Sequence, residues 1–223
     1  MPTEEVARAE SERGEIVLLR RDTGALELRV NGVFVMDTVE TSTEQALAEA
    51  ALAVVDEPRG VLVGGLGLGF TAHAVLADPR VEKVAVVEIE DAIVGWMRDA
   101  TVPHGPAFLA DERLTIVVAD VRAAVAEATP ASYDLVLLDV DNGPGYLVHD
   151  SNAEVYAVPF LRQLHDLLHD LLRPGGALVV WSAAPDRALG EAVEQVFGAV
   201  APVPFDVQLQ GRAEQYWLYQ ARR

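Results

Sequence analysis

Three acids and a cluster of glycines carry the chemistry that this sequence can do. Gly64-Gly65-Leu66-Gly67-Leu68-Gly69 follows a short apolar run, Val61–Val63, and precedes a helical pattern. Glycines let the backbone approach a ligand closely, so such a turn between strand and helix suits a nucleotide-like cofactor. Glu88 stands 23 residues after Gly65 at the end of the next apolar run, where a carboxylate accepts both hydroxyls of a ribose. Asp120 ends the third run and suits the amino group of an adenine. Asp139 ends the fourth, over the place where a reacting group would sit. Gly67, Gly69 and Ala72 also match the G-x-G-x-x-A spacing of NAD enzymes. A short-chain dehydrogenase needs a tyrosine with a lysine four residues on, and the single lysine, Lys83, opens a strand.

The elements that must position these residues are legible as alternating patterns. Strands are expected at 61–63, 84–89, 114–118, 133–138 and 177–181, separated by helices at 70–77, 92–97, 122–128 and 153–172, with another at 187–197. Apolar runs alternating with helices predict a mostly parallel, Rossmann-like sheet covered on both faces, with ligands at the carboxyl ends of its strands. Two tail strands, 199–207 and 215–221, supply an antiparallel edge. Before this domain, placed at 57–223, an N-terminal unit of 1–56 contains a strand at 15–21 and the hairpin Leu26–Val30, Asn31-Gly32, Val33–Asp37. A helix from Ser42 to about Val55 follows, with Ser42 and Gln45 as a capping box. Residues 1–13 read as a frayed acidic lead-in. Pro174-Gly175-Gly176 reads as the stop of the long helix.

Composition narrows the partners. Seventeen basic residues against 35 acidic ones give a net charge of −18, which argues against nucleic acid and suits a cationic small molecule. The absence of cysteine excludes disulfides and thiolate chemistry. No signal peptide or membrane span is expected: Met1–Arg13 is highly charged, and the uncharged stretch Val61–Ala77 is interrupted by glycines. A cytoplasmic location is the expectation. His165 and His169, one helical turn apart, read as an exposed polar face, so no metal is expected.

Taken together, Gly65–Gly69, Val87-Glu-Ile-Glu90, Ala119-Asp120, Asp139 and Leu172-Arg-Pro-Gly-Gly176 resemble the class I S-adenosylmethionine-dependent transferases. Within them, Val81-Glu-Lys-Val-Ala-Val-Val-Glu-Ile89 and the Asn31-Gly32 hairpin are similar to the spermidine synthase (polyamine aminopropyltransferase) group. The resemblance implies a donor site made of Gly65, Gly67, Gly69, Glu88 for the ribose, Asp120 and Val121 for the adenine, and Asp139. It makes Asp139 and Asp141 the catalytic carboxylates. The group's glycine-turn aspartate is matched here to Leu68, its Asp-x-x-Asp to Asp139-Val-Asp141-Asn142, and its Tyr-His-Glu to Leu47-Ala48-Glu49.

Asp141–Asn152 reads as the acceptor loop, with Asn142, Tyr146, His149 and Asp150 as contacts; Tyr156 and Glu49 are further candidates. Because Leu68 cannot hold a lone ammonium, S-adenosylmethionine and methyl transfer to an amine-bearing acceptor form the leading expectation. Aminopropyl transfer from decarboxylated S-adenosylmethionine to a polyamine is the alternative. A protein that binds an adenosyl ligand without turnover is a third reading, and an NAD oxidoreductase a distant fourth. The N-terminal strand edge suits a homodimer.

Overall fold

Alternating side chains in the first 37 residues build a sheet of their own. The computed structural model describes residues 3–129, 132–162, 172–209 and 212–222. In it β1 (Glu4–Ser11), β2 (Gly14–Arg20), β3 (Leu26–Val30) and β4 (Val33–Asp37) form a four-stranded antiparallel sheet in chain order. Asn31-Gly32 turns the last hairpin with positive φ at both residues, as an Asn-Gly pair allows. The expectation of a frayed start is corrected: β1 pairs along β2 because Val6, Ala7 and Ala9 pack on the core while Arg8 pairs with Glu5 and Glu15.

Next comes α1 (Ser42–Leu52). Its N-cap is Thr41 and no side chain caps it; Ser42 instead donates its hydroxyl to Glu40, so the expected capping box does not form. The second sheet then begins with β5 (Gly60–Gly64), α2 (Phe70–Leu76), β6 (Lys83–Glu88) and α3 (Asp91–Arg98). A short α4 (Gly105–Leu109), unforeseen in the sequence, precedes β7 (Leu114–Val118), α5 (Val121–Glu127) and β8 (Tyr133–Leu138).

The expected helix from Ala153 is also corrected. A 3-10 helix, Asp150–Tyr156, ends at Ala157 in extended backbone, and α6, described over 158–162, starts afresh with Pro159 in its first turn. Proline lacks the N–H that a continuous helix needs, so the break falls there. Residues 163–171, with His165 and His169, lie outside the described residues. β9 (Leu172–Ser182) takes Pro174-Gly175-Gly176 into the strand where a helix stop was expected. Then α7 (Arg187–Phe197), β10 (Ala201–Leu209) and β11 (Arg212–Arg222) complete the chain.

The second sheet has the order β10-β11-β9-β8-β5-β6-β7. Its four central pairings, β9-β8, β8-β5, β5-β6 and β6-β7, are parallel, and β11 and β10 add the antiparallel edge. All of β5 is buried, as a strand covered on both faces must be. One apolar cluster continues from Ile16, Leu18 and Leu28 of the first sheet into Val61, Val63 and Leu135 of the second. That packing holds the N-terminal sheet over the carboxyl ends of the parallel strands. Among the described residues, no helix is long and apolar enough to cross a membrane.

Candidate active site

Strand order reverses at β5, which lies between β6 and β8. At this switch point a cavity of about 400 Å³ opens. Gly65, Leu66 and Gly67 line its floor, Glu88, Asp120 and Val121 one flank, and Asp139, Asp141 and Asn142 the other. Gly65 has φ of +101°, and a Cβ there would lie 2.1 Å from the Asp139 carbonyl oxygen, so the turn must be glycine to pass under β8. Gly69 is different in kind. It caps α2 and packs on Met97 and Phe108, behind the cavity wall.

Glu88 is buried. Its Oε2 accepts from the Leu66 N–H (2.9 Å) and its Oε1 from the Glu90 N–H (2.8 Å), while burial raises its pKa. A carboxylate has about four acceptor positions, so lone pairs remain for a diol in the cavity. Asp120 caps α5 through the Arg122 N–H (2.8 Å), and the Arg122 guanidinium beside it lowers its pKa.

Asp139 accepts from the Thr71 hydroxyl at 2.7 Å through Oδ2, and burial pushes its pKa up to about 6. Asp141 has φ of +55°, and both its oxygens accept from Asn152 Nδ2 at 2.8 Å. Asn142 anchors the loop by donating to the Phe34 carbonyl (3.0 Å). His149 caps the 3-10 helix with its ring at the cavity wall, and Tyr146, 58% exposed, stands at the mouth.

Three expected positions move. Glu49 lies on the exposed face of α1 and does not reach the cavity. The acid that α1 contributes is Glu44, whose carboxylate accepts from Thr43 Oγ1 and whose pKa is raised by burial to about 7. Helical periodicity contains the signal: Glu44, Leu47, Ala48 and Ala51 form one i, i+3, i+4, i+7 stripe, and Glu49 falls off it. Tyr156 is buried outside the cavity and donates its hydroxyl to the Val140 carbonyl, fixing the strand end between Asp139 and Asp141. Leu68 is 1% exposed in the core, so the side chain at this position cannot select a donor; Gly67 faces the cavity instead, under Met36.

Further acids were missed. Asp37 and Glu40 come from the end of β4 and the turn after it, and Glu214 comes from β11. Asp37 is matched by Arg21 at 2.9 Å. Glu40, Glu44 and Glu214 surround Tyr216, raising its hydroxyl pKa in addition to burial, and Tyr216 stacks edge-on against Trp181 at 5.2 Å. The cavity thus has one end, at β6 and β7, lined by the Glu88 and Asp120 carboxylates and the glycine turn. Its other end, toward β9 and β11, has acids and aromatic rings suited to cations.

Glu44 gives a stability test. A carboxyl raised from 4.5 to about 7 binds more protons folded than unfolded, so stability falls as pH rises through that window. Glu44→Gln is expected to raise Tm by several degrees at pH 8, following about 1–3 kcal/mol, and to change it little at pH 4. Equal gains at both pH values would show that Glu44 is not the titrating group.

Comparison with known proteins shows the family. Residues 40–192 match the spermine/spermidine synthase domain. Polyamine aminopropyltransferase 2 of Pseudomonas aeruginosa is 30% identical over 172 residues, covering 72% of this chain and 46% of that protein. Putrescine N-methyltransferase 3 of Nicotiana tabacum is 29% identical over 157 residues, covering 70% and 36%. The chain therefore spans less than half the length of these relatives. The spermidine synthase structure from Thermotoga maritima superposes with a TM-score of 0.81 at 17% identity, over 98% of this chain and 72% of that one. With the family match running from the turn before α1 into α7 and the fold shared along nearly its whole length, the chain belongs to the spermine/spermidine synthase domain family.

Proposed function

We propose that the protein transfers an aminopropyl group from decarboxylated S-adenosylmethionine to a small di- or polyamine. The observation that carries this reading is the acidic end of the cavity, where Glu40, Glu44 and Glu214 gather around Tyr216 while Asp139 and Asp141 stand at the strand end. Several carboxylates in one pocket disfavour an anionic acceptor and favour one with more than one ammonium. The name of the Pseudomonas relative points to the same class.

The glycine cradle at Gly65 and Gly67 and the carboxylates of Glu88 and Asp120 fit an adenosyl donor. Once bound, that donor supplies an electrophilic carbon next to a sulfonium. Glu88 takes the ribose hydroxyls, while Asp120 and Val121 border the adenine. Asp139, with one oxygen held by Thr71, keeps the other for the acceptor nitrogen and takes its proton. Burial matters here. An amine of pKa about 10 is far from an ordinary carboxylate, and raising Asp139 to about 6 narrows the gap by about 2 units, or about 3 kcal/mol. Asp141 and the acids around Tyr216 hold the remaining positive charge.

A second reading, methyl transfer from S-adenosylmethionine to the same amines, is favoured by one feature: Gly65, Leu66 and Gly67 offer the donor no acid. The putrescine N-methyltransferase relatives point the same way. Incubation with each donor and an amine panel, followed by mass analysis, separates them. Aminopropylated product from the decarboxylated donor is expected. Methylated amine would replace this reading with the second, and no product with either donor would leave a binding protein. In either reading the purified chain can be tested for the homodimer by its molar mass in solution.

A further inference from the structure

An ion pair followed by hydrogen bonds of fixed polarity joins the nucleoside end of the cavity to the acceptor loop, and the chain starts in the turn between β1 and β2. Arg13, carried by that turn, is 18% exposed and lines the cavity. Its Nε stands 3.7 Å from Glu90 Oε1, and Glu90 in turn donates its N–H to Glu88. The other end of the guanidinium donates to Ser151 Oγ (3.1 Å) and to Asn152 Oδ1. A guanidinium only donates, so Asn152 must present its oxygen to Arg13 and its amide hydrogens elsewhere. They go to Asp141, whose two oxygens both lie 2.8 Å from Nδ2. Ionised Asp141 only accepts, so the order Arg13, Asn152, Asp141 cannot be reversed.

Two more features show that this connection is built. The backbone carbonyl of Arg13 accepts from Asn31 Nδ2 (3.0 Å), and the same amide donates to the Val148 carbonyl (2.7 Å), so two of the three turns of the N-terminal sheet grip the acceptor loop. Asp141 is held at positive φ, which costs a non-glycine residue roughly 1 kcal/mol or more unless its surroundings enforce it. The grip of Asn152 on the carboxylate enforces it.

We infer that Arg13 is a positioning residue that acts through Asn152 on Asp141, so that filling the nucleoside end strengthens binding of the amine acceptor. A nucleoside lying against Glu88, Glu90 and Asp120 covers the guanidinium and displaces water from it. Its bonds to Asn152 then strengthen and Asp141 is fixed for the acceptor. The coupling is reciprocal: the amine tightens the nucleoside by the same factor.

This inference rests on the proposed function, and calorimetry with two probes separates the two. Putrescine is titrated into the full chain with and without saturating methylthioadenosine, an adenine nucleoside thioether. In the wild type the nucleoside is expected to tighten putrescine by about fivefold or more. In Arg13→Met this factor falls to near one. In Asp141→Asn, adding Arg13→Met brings no further loss of putrescine affinity, since the negative charge that the relay positions is already gone. Arg13→Lys, which keeps the charge but not the fork, restores only part of the coupling. Binding of both probes with a coupling factor that survives Arg13→Met, or losses that add in the double variant, overturns the relay alone. Failure of the wild type to bind either probe overturns the proposed function and the relay with it.

Discussion

Asp139→Asn is expected to lower turnover at neutral pH by about 10²–10⁴ while leaving nucleoside affinity nearly unchanged. Asparagine keeps the shape and the Thr71 hydroxyl as a partner but cannot accept the proton of an ammonium. The wild-type rate should climb as pH rises through about 6, where the buried carboxyl ionises, and this limb should vanish in the variant. The deficit should shrink toward pH 10, where the free amine exists without help. Initial rates across pH, alongside calorimetry with methylthioadenosine, test both halves. Near-normal turnover at pH 7 would leave Asp139 as a loop-shaping residue.

Gly65→Ala is expected to be strongly damaging. The new Cβ would lie 2.1 Å from the Asp139 carbonyl at a φ of +101°, and that carbonyl cannot retreat freely because the Asp139 N–H is bonded to Gly64 O at 2.8 Å. Backbone strain and overpacking together cost about 2–6 kcal/mol. Scanning calorimetry should show Tm falling by roughly 5 °C or more, and nucleoside affinity should fall at least about tenfold. Gly95→Ala, inside α3 with nothing within 4 Å of the new methyl, should have the opposite sign and stabilise by about 0.5–1 kcal/mol. A Gly65→Ala protein with wild-type Tm would show that β8 can shift to make room.

What the sequence made legible followed from local periodicity. Val61–Val63 and Tyr133–Leu138 are short apolar runs with glycines or acids at their ends, so both the parallel strands and the strand-end residues Gly65, Glu88, Asp120 and Asp139 could be placed. Residues whose position depends on docking were harder. Glu44 and Glu49 share a helix, and only the face that α1 turns to the core decides between them, although the apolar stripe through Leu47 and Ala51 already points to Glu44. Leu68 and Gly67 are neighbours that face opposite ways at a turn with no simple period. Arg13 carries no local signal at all. It sits in a turn that follows a strand too charged to read as one, and its partners lie far along the chain.

That distance has a kinetic consequence. Arg13 and Asn152 are 139 positions apart, and Asn31 and Val148 are 117 apart, whereas the βα units of the second sheet join near neighbours. Contacts that close large loops lose the most chain entropy and form late. During synthesis the first four strands emerge early but find their partners over the acceptor loop only after β8 and the 3-10 helix exist. The parallel sheet can therefore assemble with the cavity at its strand ends open to water, and the roof seals last. Refolding followed by tryptophan fluorescence, to which Trp181 at the cavity wall contributes with Trp96 and Trp217, and by regain of catalysis should give two rates, with the slower one belonging to closure of the roof.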